Sequence, residues 1–334
     1  MRLHLNENTA GCSPAVLETL RRLGRSDVAC YPDYDTALDA VAELFGVPVD
    51  HLLLTNGMDE GILAAAAAAC RDHSTGVPEA IGVTPAFDEY EICTTAVGGR
   101  MVTVRLEEAG FELCPADILA ALTPRTRIVF VTNPHNPSGR TVPLGILRQL
   151  ARDVAPALFF VDEAYADFSR ESLIDPAAFA ALPNLVVGRT FSKAYGLAGL
   201  RAGVLVAAPE TLAPLRRVVP PYSLNAWAAA ALPVAIEDRA YRDWYIEQAA
   251  ASRALLIEAC ARLNLSTWPS AANFMLVRVP DVPALVRDLA ARGVRVRDRS
   301  AEVGCERCIR VTAGIVDDTR RLIAALEEAL CAGR

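Results

Sequence analysis

The sequence predicts an α/β chain: a mainly parallel sheet between layers of helices, followed by a smaller α+β unit. Three observations carry that expectation. Short apolar runs alternate with helix-like stretches from about residue 37 to 210, which is the rhythm of βαβ units whose sheet is covered on both faces. Past residue 235 the pattern changes to one long polar-apolar helix and then to short strands and helices up to Leu330. The length of 334 residues suits a large domain with a smaller one, on a prior of roughly 150 residues per domain.

Taken in order, the runs that read as buried strands are HLLLT (51–55), EAIGV (79–83), RMVTV (100–104), RIVFVT (127–132), ALFFVD (157–162), NLVVG (184–188) and AGVLVA (202–207). Amphipathic stretches such as 86–97 and 143–155 lie between them. The proline-bearing bend VVPPYSLN places the boundary near 220 to 240, and RAYRDWYIEQAAASRALLIEACARL opens the smaller unit. SAANFMLVRV, GVRVRD and CIRVTAG read as its strands. The expected division is a segment 1–30 packing on the small domain or on a partner subunit, a large domain 31–230, and a small domain 231–334.

Composition narrows the function. Hydrophobic residues make up 52% and charged residues 22%, a globular balance with no sign of disorder. A net charge of −7 without a basic cluster argues against a nucleic-acid partner. No stretch approaches the ~20 apolar residues of a membrane span, and MRLHLNENTAGCSP has no signal-peptide core, so no membrane partner is expected. Nine scattered cysteines fit a reducing cytoplasm better than a disulfide framework. Cys305 and Cys308 are spaced like half a zinc site, but no second pair accompanies them and no metal is expected.

In open parallel sheets ligands bind at the carboxyl ends of strands. After the first run comes NGMDEGILAAAAAAC, a turn into a helix whose free N–H groups favour an anion, although Asp59 and Glu60 also serve as ordinary first-turn charges. NPHNPSG holds Asn133 and Asn136 in a stiff exposed loop. DEAYADF puts Asp162 at a strand end, as a helix cap, an ion-pair partner or a ligand of something cationic, with Tyr165 three residues on. RTFSKAYGLAGLR sets Lys193 in a small-residue loop with Ser192 and Arg201 in reach of an anion; alone, such a lysine is an ordinary surface charge. Together the four strand ends offer an amine nucleophile, an anion cradle, a carboxylate and a polar Asn/Tyr pair. Pyridoxal phosphate needs that set.

NPHNPSG, VDEAYADF and RTFSKAYGLAGLRAG are similar to the signature segments of the fold-type I, class I/II aminotransferases. LNEN, CYPDYD, LLLTNGMDEGI and CIRVTAG further resemble the histidinol-phosphate aminotransferase branch, and the likeness runs in order from about residue 3 to 330. The resemblance implies a seven-stranded, mainly parallel sheet and a pyridoxal 5′-phosphate cofactor. It implies that Lys193 bonds the cofactor and shuttles the proton to and from the substrate α-carbon, and that Asp162 pairs with the pyridine nitrogen. Tyr165 and Asn136 would reach the ring's 3-oxygen, and Phe87 of TPAFDEY would stack on the ring. Ser192, Arg201 and the helix start at Met58, Asp59 and Glu60 would hold the phosphate. Tyr31 resembles the tyrosine that reaches the neighbouring subunit's cofactor, which implies a homodimer with shared active sites.

For the substrate, Arg310 matches the arginine that binds an anionic group and Arg297 looks like the second arginine of the branch, with Asn8 and Asn136 beside them. Arg297, alternating with Arg295 and Arg299, also reads as a solvated strand-end charge, and Asn273 in SAANF as a site residue or a structural one. The chain departs from the branch where NENPYG is replaced by NENTAGC and where an N-terminal arm with a tyrosine is expected. The implied reaction is ping-pong transamination of amino and oxo acids, with L-histidinol phosphate and 2-oxoglutarate giving imidazole acetol phosphate and L-glutamate. Transamination of aromatic or other amino acids and decarboxylation of threonine phosphate are the alternatives. A transcriptional regulator on this fold would need a DNA-binding domain ahead of LNEN, and a degenerate homologue would not fill every cofactor position.

Overall fold

The computed structural model describes residues 1–331 apart from positions 75 and 108. Seven strands form the large sheet: β1 (Leu52–Asn56), β2 (Glu79–Thr84), β3 (Arg100–Arg105), β4 (Thr126–Thr132), β5 (Leu158–Asp162), β6 (Leu185–Thr190) and β7 (Ala202–Ala207). Their spatial order is β1-β7-β6-β5-β4-β2-β3. β3, β2, β4, β5 and β6 run parallel, whereas β7 is antiparallel to both β6 and β1.

The continuous apolar character of the strands follows from burial on two faces. In β4, Val129 and Val131 enter one core, while Ile128 and Phe130 enter the other. Phe159 and Val161 of β5 share the first core, and Phe160 the second. Successive side chains point to opposite faces, so a sheet covered on both sides leaves no polar alternation to read. On the second face the alanine-rich helix Gly57–Ala69 packs closely. Gly188 on β6 permits that approach, because a Cβ there would lie 2.5 Å from the Met58 sulfur.

The small sheet has the order β10-β11-β9-β8, from β8 (Ser266–Thr267), β9 (Phe274–Arg278), β10 (Arg297–Asp298) and β11 (Cys308–Thr312), all antiparallel. The 24-residue helix Arg239–Arg262, about 36 Å long at 1.5 Å per residue, runs from the core of the large sheet to that of the small one. Its Tyr245, Ile246 and Ala249 pack into the large core, while Leu256 and Cys260 pack into the small one. The N-terminal residues run beside the small sheet: Leu3 N donates to the Arg295 carbonyl at 2.9 Å, and Thr312 N to the Leu3 carbonyl at 2.9 Å. That path brings Leu5 and Glu7 to the rim where the two sheets meet.

Candidate active site

A cavity of about 570 Å³ opens over the carboxyl ends of the large sheet's strands, with the small sheet as its far wall. β1 ends at Asn56, and Gly57 follows at φ +80°, a conformation that suits glycine. A Cβ at Gly57 would also collide with the Arg201 guanidinium, so the turn leaves room for that arginine over the helix start. Arg201 itself sits at φ +57°, strained for a side chain-bearing residue, and its Nη2 donates to Asp59 at 2.7 Å. Met58, Asp59, Ser192 and Arg201 therefore gather around free helix N–H groups, an anion cradle built from backbone and charge.

Asp162 closes β5 and is 4% exposed. It accepts from the Tyr90 hydroxyl at 2.7 Å and from Ala164 N at 2.9 Å. Burial pushes its carboxyl pKa up, against these two donors and the charge of Lys193. Tyr90 also meets Thr132, at the end of β4, at 2.7 Å, and burial drives its phenol well above the ordinary value. Phe87 stands edge-on to Tyr90 with centroids 6.0 Å apart.

The stiff loop after β4 is locked from within. Asn133 exchanges hydrogen bonds with the Val142 backbone at 3.2 and 2.8 Å. The buried His135 ring contacts Ser138 Oγ at 2.8 Å and the Pro85 carbonyl at 2.8 Å, and burial lowers its pKa to about 4. Asn136, thus fixed, accepts from Arg310 Nη1 of β11. Across the cavity Lys193 Nζ donates to the Leu5 carbonyl at 3.1 Å and lies 5.8 Å from the Tyr165 ring centroid. The Tyr165 hydroxyl accepts from Asn6 Nδ2 at 3.0 Å.

On the small-sheet wall Arg297 faces Arg310 across the β10/β11 pair. Arg310 is 6% exposed; its second nitrogen donates to the His4 carbonyl at 3.0 Å. Its pKa is lowered to about 10, chiefly by burial, with Arg299 and Arg297 adding to the effect. Asn273, on the turn before β9, donates to the Asn6 carbonyl at 3.1 Å and so ties the N-terminal segment down.

The cavity brings together Met58, Asp59, Phe87, Asn136, Asp162, Tyr165, Ser192, Lys193, Arg201, Arg297 and Arg310. Three expected members, Glu60, Asn8 and Tyr31, do not line it. Glu60 is turned back along its helix, where its carboxylate accepts from Asn56 N at 2.7 Å and from the Ser223 hydroxyl. Asn8 spends its amide on the Ala194 carbonyl at 3.1 Å and on Ala10 N at 2.9 Å, so it holds the lysine loop against the N-terminal segment. Tyr31 lies apart from this cavity, 78% exposed and stacked on Tyr222 at 4.3 Å.

Sequence reading missed Tyr90, Thr132, Arg299, Arg2 and Glu7 as lining residues. Tyr90 carried a signal, since it follows Phe87 by three residues at a helix start and so shares its face. A stronger signal was a count: of the 33 basic residues Lys193 is the single lysine, the other 32 being arginines. A chain that uses arginine at every other basic position and lysine here has placed its one primary side-chain amine in this cavity.

Pyridoxal phosphate fits what is present. A buried carboxylate held by two donors matches a protonated ring nitrogen, the helix start with Arg201 matches a phosphate, and the lysine lines the same cavity. The family model for class I and II aminotransferases matches residues 1–326. The chain is 38% identical to histidinol-phosphate aminotransferase 1 of Cupriavidus pinatubonensis, over 99% of this chain and 88% of that one. It is 34% identical to the histidinol-phosphate aminotransferase of Moorella thermoacetica, over 99% and 85%. The crystal structure of the Sinorhizobium meliloti histidinol-phosphate aminotransferase in complex with pyridoxal-5′-phosphate superposes with a TM-score of 0.89 at 26% identity, covering 100% of this chain and 91% of that one. With a cavity of this composition on a sheet of this topology, the chain belongs to the class I and II aminotransferases and is a pyridoxal-phosphate-dependent enzyme.

Proposed function

We propose that the chain transfers the amino group of L-histidinol phosphate to 2-oxoglutarate, giving imidazole acetol phosphate and L-glutamate, and runs the reaction in both directions by a ping-pong cycle. The observation that carries this reading is the small-sheet wall: Arg310, Arg297 and Arg299 face the lysine across the cavity and suit a substrate with an anionic end. The names of relatives at 34 and 38% identity over nearly the whole chain support it.

Bound pyridoxal phosphate supplies the electron sink that stabilises negative charge at the substrate α-carbon. This chain's residues supply the rest. Lys193, the one lysine on the cavity wall, would hold the cofactor through its amine and would carry the proton to and from the substrate α-carbon. Asp162, kept in place by Tyr90 and Ala164, holds the proton on the ring nitrogen. Phe87 would cover one ring face, Tyr165 and Asn136 would reach the 3-oxygen, and Ser192, Arg201 and the amides of Met58 and Asp59 would hold the phosphate, all of them residues of the cavity lining. Arg310 and Arg297 would bind the anionic end of the substrate, and Arg310 is tied to Asn136, the residue expected to hold the cofactor.

A homodimer belongs to the same reading, with Tyr31 reaching the partner's phosphate. Its support is the exposed, stacked pair Tyr31 and Tyr222. So does the division into bodies at 31–230 and 231–334, which the two sheets support. A cytoplasmic setting is supported by the free state of Cys12, Cys30, Cys70, Cys93, Cys114, Cys260, Cys305 and Cys308. Among the described residues no helix is long and apolar enough to cross a membrane.

The deciding experiment is a single-turnover screen of the cofactor-loaded protein with L-histidinol phosphate, L-glutamate, L-phenylalanine and L-threonine O-phosphate. Transamination of L-histidinol phosphate and L-glutamate, with no carbon dioxide from L-threonine O-phosphate, is the expected outcome. Decarboxylation, or indifference to L-histidinol phosphate, would sink the reading.

A further inference from the structure

The cations of the cavity are not equally spent. Arg201 is matched by Asp59 at 2.7 Å and Arg2 by Glu7 at 2.7 Å. Arg299 and Arg310, 5% and 6% exposed, each retain a buried Nε–H with no acceptor. Arg299 sits two residues beyond Arg297 and therefore on the same side of an extended chain, its backbone N bonded to the Cys308 carbonyl at 3.0 Å. Its guanidinium meets the Glu302 carboxylate and gives one hydrogen to the Ala86 carbonyl at 3.3 Å. Glu302 is a reluctant counter-ion, because burial pushes its carboxyl pKa up despite Arg299.

These facts separate two kinds of anion. A carboxylate carries one charge and two coplanar oxygens, and a single guanidinium fork such as that of Arg310 satisfies it. A phosphate-type group carries nearly two charges and three terminal oxygens, so it makes use of a second buried fork and of the charge that Glu302 only partly offsets. The positive wall of Arg297, Arg299 and Arg310 is then repaid by one ligand.

We propose that Arg299, with Glu302 as its resting counter-ion, is the residue through which this chain selects a substrate ending in a doubly charged tetrahedral anion over one ending in a carboxylate. On binding, the Arg299 guanidinium exchanges the Glu302 carboxylate for the anion. The proposal deepens the histidinol-phosphate reading and rests on it for the substrate's name alone.

Calorimetric titration of the cofactor-loaded enzyme with inorganic phosphate and with acetate tests it, since the cofactor's own phosphate already fills the cradle at Arg201. Wild type should bind phosphate at least about tenfold more tightly than acetate. Arg299→Gln should weaken phosphate by about 10- to 100-fold and leave acetate within about twofold, whereas Arg299→Lys, which keeps charge without the fork, should fall between. Glu302→Gln should tighten phosphate several-fold; should Arg299→Gln fail to hold cofactor, this variant decides. Equal weakening of both anions by Arg299→Gln, or weaker phosphate binding in Glu302→Gln, overturns the proposal. The two readings fail separately: phosphate selection lost on Arg299→Gln in an enzyme inert to L-histidinol phosphate keeps the subsite and rejects the substrate. An unchanged KM for L-histidinol phosphate in an active Arg299→Gln does the reverse.

Discussion

The two walls of the cavity are built to different specifications. On the large-sheet side nearly every polar atom has a partner before any ligand arrives: Asp162 has Tyr90 and Ala164, Tyr90 has Thr132, His135 has Ser138 and Pro85, and Arg201 has Asp59. On the small-sheet side three arginines crowd one another, and two keep unspent donors. Prepaid order suits a cofactor that stays bound, because electrostatic groups fixed in advance cost nothing to arrange during reaction. Charge left uncompensated suits a ligand that comes and goes, because the anion that relieves it is bound more tightly than a neutral competitor.

The contrast makes substitutions unequal. Lys193→Ala should lose activity by on the order of 10⁴-fold or more. Borohydride reduction of the cofactor-loaded enzyme should add one cofactor mass to the wild-type chain and none to this variant. Retention of the adduct in Lys193→Ala would remove the lysine from its role. Asp162→Asn should follow, at about 10²- to 10³-fold in kcat, with the fold intact by circular dichroism. Tyr90→Phe takes one donor from the buried carboxylate and should cost about 1.5 to 3 kcal/mol in thermal or denaturant unfolding. It should also move the acid limb of kcat/KM to higher pH, since the Tyr90 hydrogen bond opposes the upward push of burial on Asp162.

His135 sharpens the comparison through pH. Its pKa is about 4 when folded against an ordinary 6.5, so between those values the unfolded chain takes up a proton that the folded chain refuses. Stability is intact above 6.5 and declines as pH falls toward 4, by about 3 kcal/mol for this residue at roughly 1.4 kcal/mol per pH unit. His135→Gln should be less stable at neutral pH yet show a flatter decline across that window in urea titrations. The smallest effects belong to the residues turned away from the cavity: Glu60→Gln should keep kcat within about threefold, and Asn8→Ala should cost about 1 kcal/mol of stability rather than chemistry. A large loss of kcat in Glu60→Gln would return that carboxylate to the site.

What the sequence made legible was whatever one strand end could announce. Asp162, Asn136, Lys193 and the glycine-led helix start each follow an apolar run directly, and a parallel sheet collects its strand ends on one edge. Arg299 and Glu302 were hidden, because a short strand followed by a turn gives no period from which inward and outward charges can be told apart. Asn8 and Glu60, expected at the site, lie outside the cavity lining for the opposite reason. Each stands in a motif whose neighbours line the cavity, and only packing decides that one braces the lysine loop and the other caps its own helix. The large sheet was readable from its runs, while the single reversed strand β7 looks like its parallel neighbours, since burial on both faces does not depend on direction.

A chain with one lysine also has a simple surface chemistry. Reagents that acylate or alkylate primary amines find one side-chain target, and it lies inside the pocket; the only other amine is that of Met1, hydrogen-bonded to the Gly293 carbonyl. An amine-reactive dye therefore serves as a titrant of empty sites, and immobilisation through amines would tether the molecule by its terminus or silence it. Attachment through an exposed cysteine such as Cys114 leaves that amine untouched.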